Sequence, residues 1–386
     1  MTPAARVAAA IAVLDSVLAG QAAEVALSRW GRANRFAGSK DRAAIRDHVF
    51  DALRCKRSFA WLGGAETGRG LMLGACRAAG TAPETVFDGS RFGPAPVADH
   101  EVGAPLDAAP RAVRLDIPDW QLPLWDDGPA DPDAALETLR HRAGVFLRVN
   151  KRKADLPTAQ ARLRVEGIET APVAGAPLAL EVRTNPRRVT ATQSFADGLV
   201  EVQDPASQMA VARLGLRDGI RVLDLCAGGG GKALAMAAAA DVQVAAHDIA
   251  PRRMADIAPR AARAGVRIET LAPGRITGRF DLVLIDAPCS GSGTWRRAPE
   301  AKWALTPERL AELTSLQDSL LRQGAGLLAP GGRLAYATCS VFTRENADRV
   351  SARLADWPGA QRVERMRLDP ATSHDGFYLS MISGIV

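Results

Sequence analysis

Apolar residues recur at helical spacing from the start of the chain, where Val7, Ile11, Leu14, Val17 and Leu18 share one face of AARVAAAIAVLDSVL. Asp15 and Glu24 interrupt the Ala-rich run around Arg6, so it reads as an amphipathic helix and not as an export signal. The pattern returns over residues 40–62 (KDRAAIRDHVFDALRCKRSFAWL), with Ile45, Val49, Ala52 and Leu53 as its apolar stripe and Ser39 placed as an N-cap. From about 80 to 133 it dissolves into Pro, Gly and Asp and ends in a short aromatic island, IPDWQLPLW, which predicts a linker or a wrapping segment. Residues 134–200 mix a helix (DAALETLRHRA), a strand (VFLRVN), a second helix (ADLPTAQARLRVEG) and hairpin-like pieces. From 201 onward apolar strands alternate with helices: RVLDLC then GKALAMAAAA, VQVAAHDI then PRRMADIAPRAARAG, FDLVLIDAP, a long helix around PERLAELTSLQDSLLRQGAGLL, and RLAYATC.

That alternation predicts a doubly wound, mostly parallel sheet. At 386 residues the chain has room for two or three domains. The expected division is an all-helical domain with its linker over 1–115, a small α+β subdomain over 116–200, and a Rossmann-like α/β domain over 201–386.

Composition changes this picture only at a few points. With 47% apolar and 24% charged residues the chain reads as an ordinary globular protein, and no apolar run approaches the roughly 18 residues of a membrane helix. We expect a cytoplasmic protein with no membrane partner. Five cysteines, with no CxxC and no metal-type spacing, argue against a disulfide framework and against a zinc site, so no metal is expected. The net charge is +6, and residues 1–60 hold ten Lys or Arg against five acids, an excess of five out of the six. A polyanionic partner fits such a stretch.

The segment VLDLCAGGGGKALAMA runs from a buried-strand pattern through a glycine cluster into a helix. Glycines let the backbone approach a ligand closely, and a helix N-terminus favours polar or anionic groups. A phosphate loop would need Gly at 226 and Ser or Thr at 233, where this chain has Cys226 and Ala233. A nicotinamide fingerprint would run Gly228, Gly230, Ala233 in its relaxed form, and S-adenosylmethionine is the third ligand that suits such a loop. Asp248 closes the next strand, where a carboxylate can accept from both ribose hydroxyls of an adenosine moiety or can cap the turn before Pro251.

FDLVLIDAPCSGSGTWRRAPEAKW and RLAYATCSVFTRENADRV each place a cysteine after an apolar strand. Ligands of open α/β sheets bind beyond the carboxyl ends of the strands, so Cys289 and Cys339 should face one another near the glycine loop. Cys55 and Cys76 read as small buried hydrophobes.

At these residues the chain resembles the Sun (RsmB/Fmu) family of RNA 5-methylcytosine methyltransferases. The resemblance is carried by VQDPASQ at 202–208, DLCAGGGGK at 224–232, DAPCSGSGTWRRAPEAKW at 286–303, YATCSVFTREN at 336–346 and SHDGFYLS at 373–380. LRVN at 147–150 is similar to the family's small RRM-like α+β subdomain, and the N-terminal helices resemble its NusB-like RNA-binding domain. The resemblance implies S-adenosylmethionine as cofactor, held by Cys226, Ala227, Gly228, Gly229, Gly230, Gly231, Lys232, Asp248 and Asp286. It implies Cys339 as the nucleophile, Cys289 as the group that assists release, and Asp286 on the ring-nitrogen edge of cytosine; spacing alone does not choose between the cysteines. A thiolate is required because carbon 5 of cytosine is too weak a nucleophile until a group adds to carbon 6.

The NusB-like branch points to small-subunit (16S) ribosomal RNA as partner, acted on by a monomer, with transfer RNA as the alternative substrate. The chain departs from the family in two places. Gly228 and Gly229 stand where the family loop has Ala and Pro, which predicts a looser loop. Pro273 stands where the family has an adenine-contacting Asp, which motivates a second reading, an RNA-binding assembly factor that has lost turnover.

Overall fold

The first apolar stripe forms the helix Pro3–Leu18, capped by the Thr2 hydroxyl, which accepts from the Ala5 N–H at 3.2 Å. Four more helices come after it: Ala23–Ala33, Ser39–Arg54, Lys56–Gly63 and Gly68–Ala78. Ile45, Val49, Ala52 and Leu53 are buried together with Val7, Leu14 and Leu71 in one apolar core. The computed structural model of the chain describes residues 1–385. The chain divides into two units, one of Met1–Asp126, Asp131–Arg142 and Trp295–Ala304, the other of Asp127–Ala130, Ala143–Thr294 and Leu305–Val386.

Two local expectations are corrected in this unit. The N-cap of the third helix is Gly38 and not Ser39: the Asp41 carboxylate accepts from the Gly38 N–H at 3.3 Å, reaching back where a hydroxyl was expected to reach forward. The single helix expected over 40–62 is two, broken at Cys55. At the break, the Trp303 indole N–H donates to the Leu53 carbonyl at 2.7 Å and the Lys302 ammonium to the Arg54 carbonyl at 2.9 Å. Carbonyls at a helix end need donors, and these come from a segment 248 to 250 residues away in the chain.

Lys302 is fully buried in that role, and burial pushes its ammonium down to about 8, against the pull of Asp116. The aromatic island wraps the same unit: Ile117, Gln121 and Trp125 are buried, and the Trp125 and Trp295 rings lie 5.9 Å apart.

Many of the N-terminal cations are committed internally. Arg6 pairs with Asp41, Arg46 with Glu24, Arg54 with Asp51, Lys56 with Glu66 and Arg57 with Asp119. Arg29, Arg32, Arg35 and Lys40 are exposed, and among the described residues none of them has an ion-pair partner.

In the second unit the strands are β1 (Phe146–Val149), β2 (Thr170–Val173), β3 (Ala176–Val182), β4 (Val200–Val202), β5 (Arg221–Asp224), β6 (Gln243–His247), β7 (Ile268–Leu271), β8 (Phe280–Asp286), β9 (Leu328–Thr338), β10 (Gln361–Leu368) and β11 (Phe377–Ser383). The first four form an antiparallel sheet in the order β2-β3-β1-β4, with the helix Leu156–Val165 between β1 and β2 and short helical turns between β3 and β4. This is the split β-α-β arrangement of a small α+β fold. The other seven form one sheet in the order β10-β11-β9-β8-β5-β6-β7. β9, β8, β5, β6 and β7 are mutually parallel, while β11 and β10 are added antiparallel.

Strand residues alternate between two cores, as period-2 geometry requires. Val222, Leu282, Leu284, Ala335 and Ala337 face one side, and Leu223, Val283, Ile285, Leu334 and Tyr336 face the other. A parallel sheet covered on both faces explains why these strands read as continuous apolar runs. Among the described residues, no helix is long and apolar enough to cross a membrane.

The helical unit also yields a stability test. The Asp116 carboxylate is fully buried; it accepts from the Ser58 N–H at 2.8 Å and the Ser58 hydroxyl at 2.7 Å, and pairs with Arg140 Nε at 2.8 Å. Its backbone φ of 55° lies in the left-handed region, which Asn also tolerates. Asp116→Ala strands the Arg140 charge and should cost about 3–5 kcal/mol in chemical denaturation. Asp116→Asn keeps the backbone preference and an acceptor for Ser58 but strands the same charge, so a loss close to that of Ala would assign the cost to the ion pair with Arg140, and a clearly smaller one to the backbone conformation and the Ser58 hydrogen bonds.

Candidate functional site

The loop between β5 and the helix Gly231–Ala239 is built at the carboxyl edge of the parallel strands. Gly228 and Gly230 have φ of 51° and 78°, so both need the left-handed freedom of glycine. A Cβ at Gly230 would also sit 2.7 Å from an Ile257 side-chain carbon. The looser loop expected from Gly228 and Gly229 is tied down by its neighbours: the Gly228 N–H donates to Asp248 at 3.0 Å, Arg260 donates to the Gly229 carbonyl, and the Ala227 N–H donates to the His247 carbonyl at 2.8 Å.

Asp248 is buried at the end of β6. One oxygen accepts from the Ala250 N–H at 2.9 Å, and the other accepts from Gly228 and pairs with Arg253 at 3.0 Å. It therefore caps its turn and fixes the glycine loop at once. Beside it opens a cavity of about 450 Å³ lined by Cys226, Asp248, Ile249, Ile276, Leu320 and Pro273 among others. A pocket of this size, mostly apolar with one carboxylate, suits a flat nucleoside. Pro273 offers no carboxylate to it, in contrast to the family's Asp.

One residue of the glycine motif to which sequence reasoning gave no role stands out. Asp224, the last residue of β5, is buried with no side-chain partner for either carboxylate oxygen. Burial, then the neighbouring Asp286, push its carboxyl up to about 7. Lys232 is the cation that acts on it, and Lys232 is already paired with Asp286, so a positively charged ligand would stabilise this buried carboxylate further. With the left-handed glycines and the cavity, this fits a cofactor carrying both an adenosine and cationic groups. The strand-end position of Asp224, ahead of a glycine loop, was the available signal.

The two cysteines meet as expected. Cys289 lies three residues beyond β8 and Cys339 comes directly after β9, and their sulfurs are 3.5 Å apart. The Thr294 hydroxyl lies 3.9 Å from Cys339 Sγ. Lys232 Nζ pairs with Asp286 Oδ2 at 2.7 Å and sits 5.0 Å above the centre of the Phe377 ring. That pairing, together with the charges of Asp224 and Cys339, raises the Lys232 ammonium above its ordinary value although burial opposes it.

The thiols are pushed in opposite directions. Cys339 is lowered, first by the hydrogen bond from Cys289 and further by Lys232 and Thr294, against burial and Asp286. Cys289 is raised well above the ordinary value, by its hydrogen bond to Cys339, by burial and by the negative charges of Cys339 and Glu345. Cys226 lines the cavity and is raised by burial and three nearby carboxylates, and burial pushes Cys55 up to about 12. Among the described residues, no group of His, Cys, Asp or Glu is placed to hold a metal ion.

These directions predict the order of thiol reactivity. Limiting iodoacetamide at about pH 8, with peptide mapping, should label Cys339 before Cys289, Cys226 or Cys55, because only a thiolate is nucleophilic. Cys226 reacting first would contradict the electrostatics of the site.

Comparison with known proteins agrees with this geometry. Residues 211–380 match the family described as 16S rRNA methyltransferase RsmB/F. The chain is 36% identical over 253 residues to ribosomal RNA small subunit methyltransferase B of Klebsiella pneumoniae, covering 63% of this chain and 58% of that protein. It is 34% identical over 288 residues to the protein of that name from Vibrio cholerae, covering 70% of this chain and 66% of the other. The chain thus spans roughly three fifths of the length of the relatives it matches first. In fold it is similar to the crystal structure of PH0851 (TM-score 0.75, 22% identity, 99% of each chain) and to a methyltransferase homolog from Pyrococcus horikoshii (TM-score 0.62, 24% identity, 71% of this chain and 97% of that one). With its glycine loop and both cysteine loops inside the matched region, the chain belongs to the 16S rRNA methyltransferase RsmB/F family.

Proposed function

We propose that this chain is an S-adenosylmethionine-dependent RNA (cytosine-C5)-methyltransferase acting on 16S ribosomal RNA in the cytoplasm, as a monomer, through a covalent cysteine adduct. The observation that carries this reading is the pair of thiols 3.5 Å apart, shifted in opposite directions, at the sheet edge that also holds the glycine loop. One chain supplies both cysteine loops and the cofactor cavity, which supports a monomer. In this reading residues 1–115 serve RNA binding, residues 116–200 form an accessory α+β subdomain, and residues 201–386 carry the chemistry.

Cys226 to Lys232 and Asp248 would hold the cofactor, with Asp224 and Asp286 beside its charged groups. It supplies an electrophilic methyl group. The Cys339 thiolate adds to carbon 6 of cytosine, and the displaced ring electrons make an enamine that is nucleophilic at carbon 5. Asp286, one oxygen held by Lys232, offers the other to the protonated ring nitrogen 3 and so stabilises the adduct. Once carbon 5 has taken the methyl group, loss of its proton to a base re-forms the 5,6 double bond and expels the Cys339 thiolate. Cys289 keeps its proton and stabilises that leaving sulfur through the hydrogen bond it already makes.

The order of events gives a test. With 16S rRNA and labelled cofactor, Cys339→Ala should abolish methylation and form no protein–RNA adduct. Cys289→Ala should methylate once and stall, leaving a denaturant-resistant adduct on a gel. The mirror image would assign the nucleophile to Cys289, and RNA binding without methylation by the wild type would favour an assembly factor.

The free cations give a second test. Arg29, Arg32, Arg35 and Lys40 are exposed and have no ion-pair partner among the described residues, and they lie close in sequence to Phe36, which is 74% exposed. Replacing the four by Glu should weaken RNA binding and flatten its salt dependence by about 0.7 to 0.9 in log–log slope for each phosphate no longer neutralised. Cofactor affinity should be unchanged. An unaltered slope would remove this surface from RNA recognition.

A further inference from the structure

Behind the two cysteines lies a carboxylate that the chemistry above does not use. Glu345 sits in the helical turn Thr343–Glu345, six residues after Cys339, and is fully buried. One oxygen accepts from the Ser290 backbone N–H at 2.8 Å and from Gln317 Nε2 at 3.0 Å. The other accepts from the Ser290 hydroxyl and from the Ser340 hydroxyl, the latter at 2.5 Å. Ser290 is next to Cys289 and Ser340 is next to Cys339, so one side chain grips the neighbour of each thiol.

Its surroundings hold the grip in place. Gln317, on the helix Pro307–Ala325, also donates to the Pro288 carbonyl at 2.9 Å, just before Cys289. The Tyr336 hydroxyl donates to the Glu345 carbonyl at 2.6 Å. The Ser292 hydroxyl lies 2.9 Å from that of Ser340 and accepts from the Val341 N–H at 2.9 Å, a second tie between the loops. No cation is among the groups that hold the Glu345 carboxylate; four neutral donor atoms do so. A buried carboxylate satisfied only by neutral donors carries a desolvation cost that a neutral Gln or a packed apolar side chain would avoid.

We propose that Glu345 is a positioning residue for the proposed reaction: it clamps the Cys289 and Cys339 loops at their working separation and presents its carboxylate on the Cys289 side. The groups facing the pair divide accordingly. Lys232 and Thr294 favour the Cys339 thiolate and Asp286 opposes it, while Glu345 disfavours ionisation of Cys289. Tyr336, beside Cys289, is itself raised well above its ordinary value by burial and stays neutral. Glu345 reaches the reacting atoms only through the serines and through its field.

The inference rests on the methyltransferase reading for its turnover prediction but not for its thiol prediction. Glu345→Gln removes the charge and turns one acceptor into a donor that the serine hydroxyls and Gln317 must then accommodate. Alkylation of the full chain by iodoacetamide from about pH 6 to 9, mapped by peptide, should show Cys339 far ahead of Cys289 in the wild type. In Glu345→Gln that lead should shrink by about tenfold, with Cys289 reacting at lower pH. The RNA adduct should form about ten- to a hundredfold more slowly, the range produced by small misplacements of a reacting group. KM for RNA, cofactor Kd and thermal midpoint should stay near wild type.

If Glu345→Gln does not fold, Ser340→Ala cuts the Cys339 arm of the clamp and Ser290→Ala removes the hydroxyl contact of the Cys289 arm, and each should narrow the lead. An unchanged alkylation profile in all folded variants overturns the proposal. So does a loss of turnover that only tracks thermal midpoint and cofactor affinity, which is the signature of a merely structural role. A wild type that shows the Cys339 lead but no methylation would instead count against the methyltransferase reading and leave the clamp supported by the thiol data.

Discussion

The parallel register of β8 against β9, with Asp286 opposite Ala337, fixes the chemistry of this protein. The Ala287 N–H continues the ladder to the Ala337 carbonyl at 2.8 Å, so the two strands end level and the loops beyond them must meet. On the other side of β8, the Leu225 N–H donates to the Leu284 carbonyl at 2.9 Å and brings the glycine loop to the same edge. Residues as far apart in sequence as Asp224 and Cys339 thereby share one small volume. The register is itself over-determined: a slip of one residue would carry Tyr336 and Ile285 from one core to the other, and both faces of the sheet are buried.

Charge is distributed around that edge with too few cations for its carboxylates. Lys232 is taken by Asp286, which leaves Asp224 and Glu345 to be stabilised by other means. The protein solves the two cases differently. Glu345 receives four hydrogen bonds, and its charge is turned to use against the ionisation of Cys289. Asp224 has no such side-chain donors, and its carboxyl rises to about 7, a state that a bound cationic group would reverse. Of these two buried carboxylates, one is thus satisfied by side chains of the fold and the other has no side-chain hydrogen-bond partner.

Much of this was legible in the sequence because the relevant signals are local. Apolar runs marked the central strands, and a cysteine after each of two runs is enough to place both thiols at one edge. The glycine cluster and the strand-end Asp248 marked one border of the cavity, although Asp248 proves to serve the loop as well as face that cavity. What escaped depends on distant partners. The break at Cys55 is made by donors on Lys302 and Trp303, and a helical stripe that continues to Leu62 gives no sign of them. Ser39 looked like a cap because its residue type fits, yet Asp41 reached Gly38 first. The loosening expected of Gly228 and Gly229 is countered by Asp248 and Arg260, which lie 20 and 31 residues further on. Glu345 passed unremarked because an acid in TREN is unexceptional until its four donors are seen.

The positive excess of the first sixth of the chain shows the same limit in another form. Net charge counts residues, whereas affinity for a polyanion comes from cations that can exchange water and counterions for phosphate. A guanidinium already bound to a carboxylate, or buried like Arg54 with its Nε on the Arg296 carbonyl at 2.7 Å, gains little from a phosphate and would have to break a protein contact to reach one. Arg6, Arg46, Lys56 and Arg57 are in the first position, so their charge stabilises the helical unit rather than advertising a surface. Of the cations that remain, Arg42 donates to the Ala37 carbonyl at 2.9 Å, and Arg29, Arg32, Arg35 and Lys40 fall within twelve consecutive residues at the junction of the second and third helices. Their side chains are exposed, and so is the ring of Phe36 in the same stretch. A charge that is half structural and half free therefore concentrates whatever phosphate affinity the unit has into one short stretch of chain.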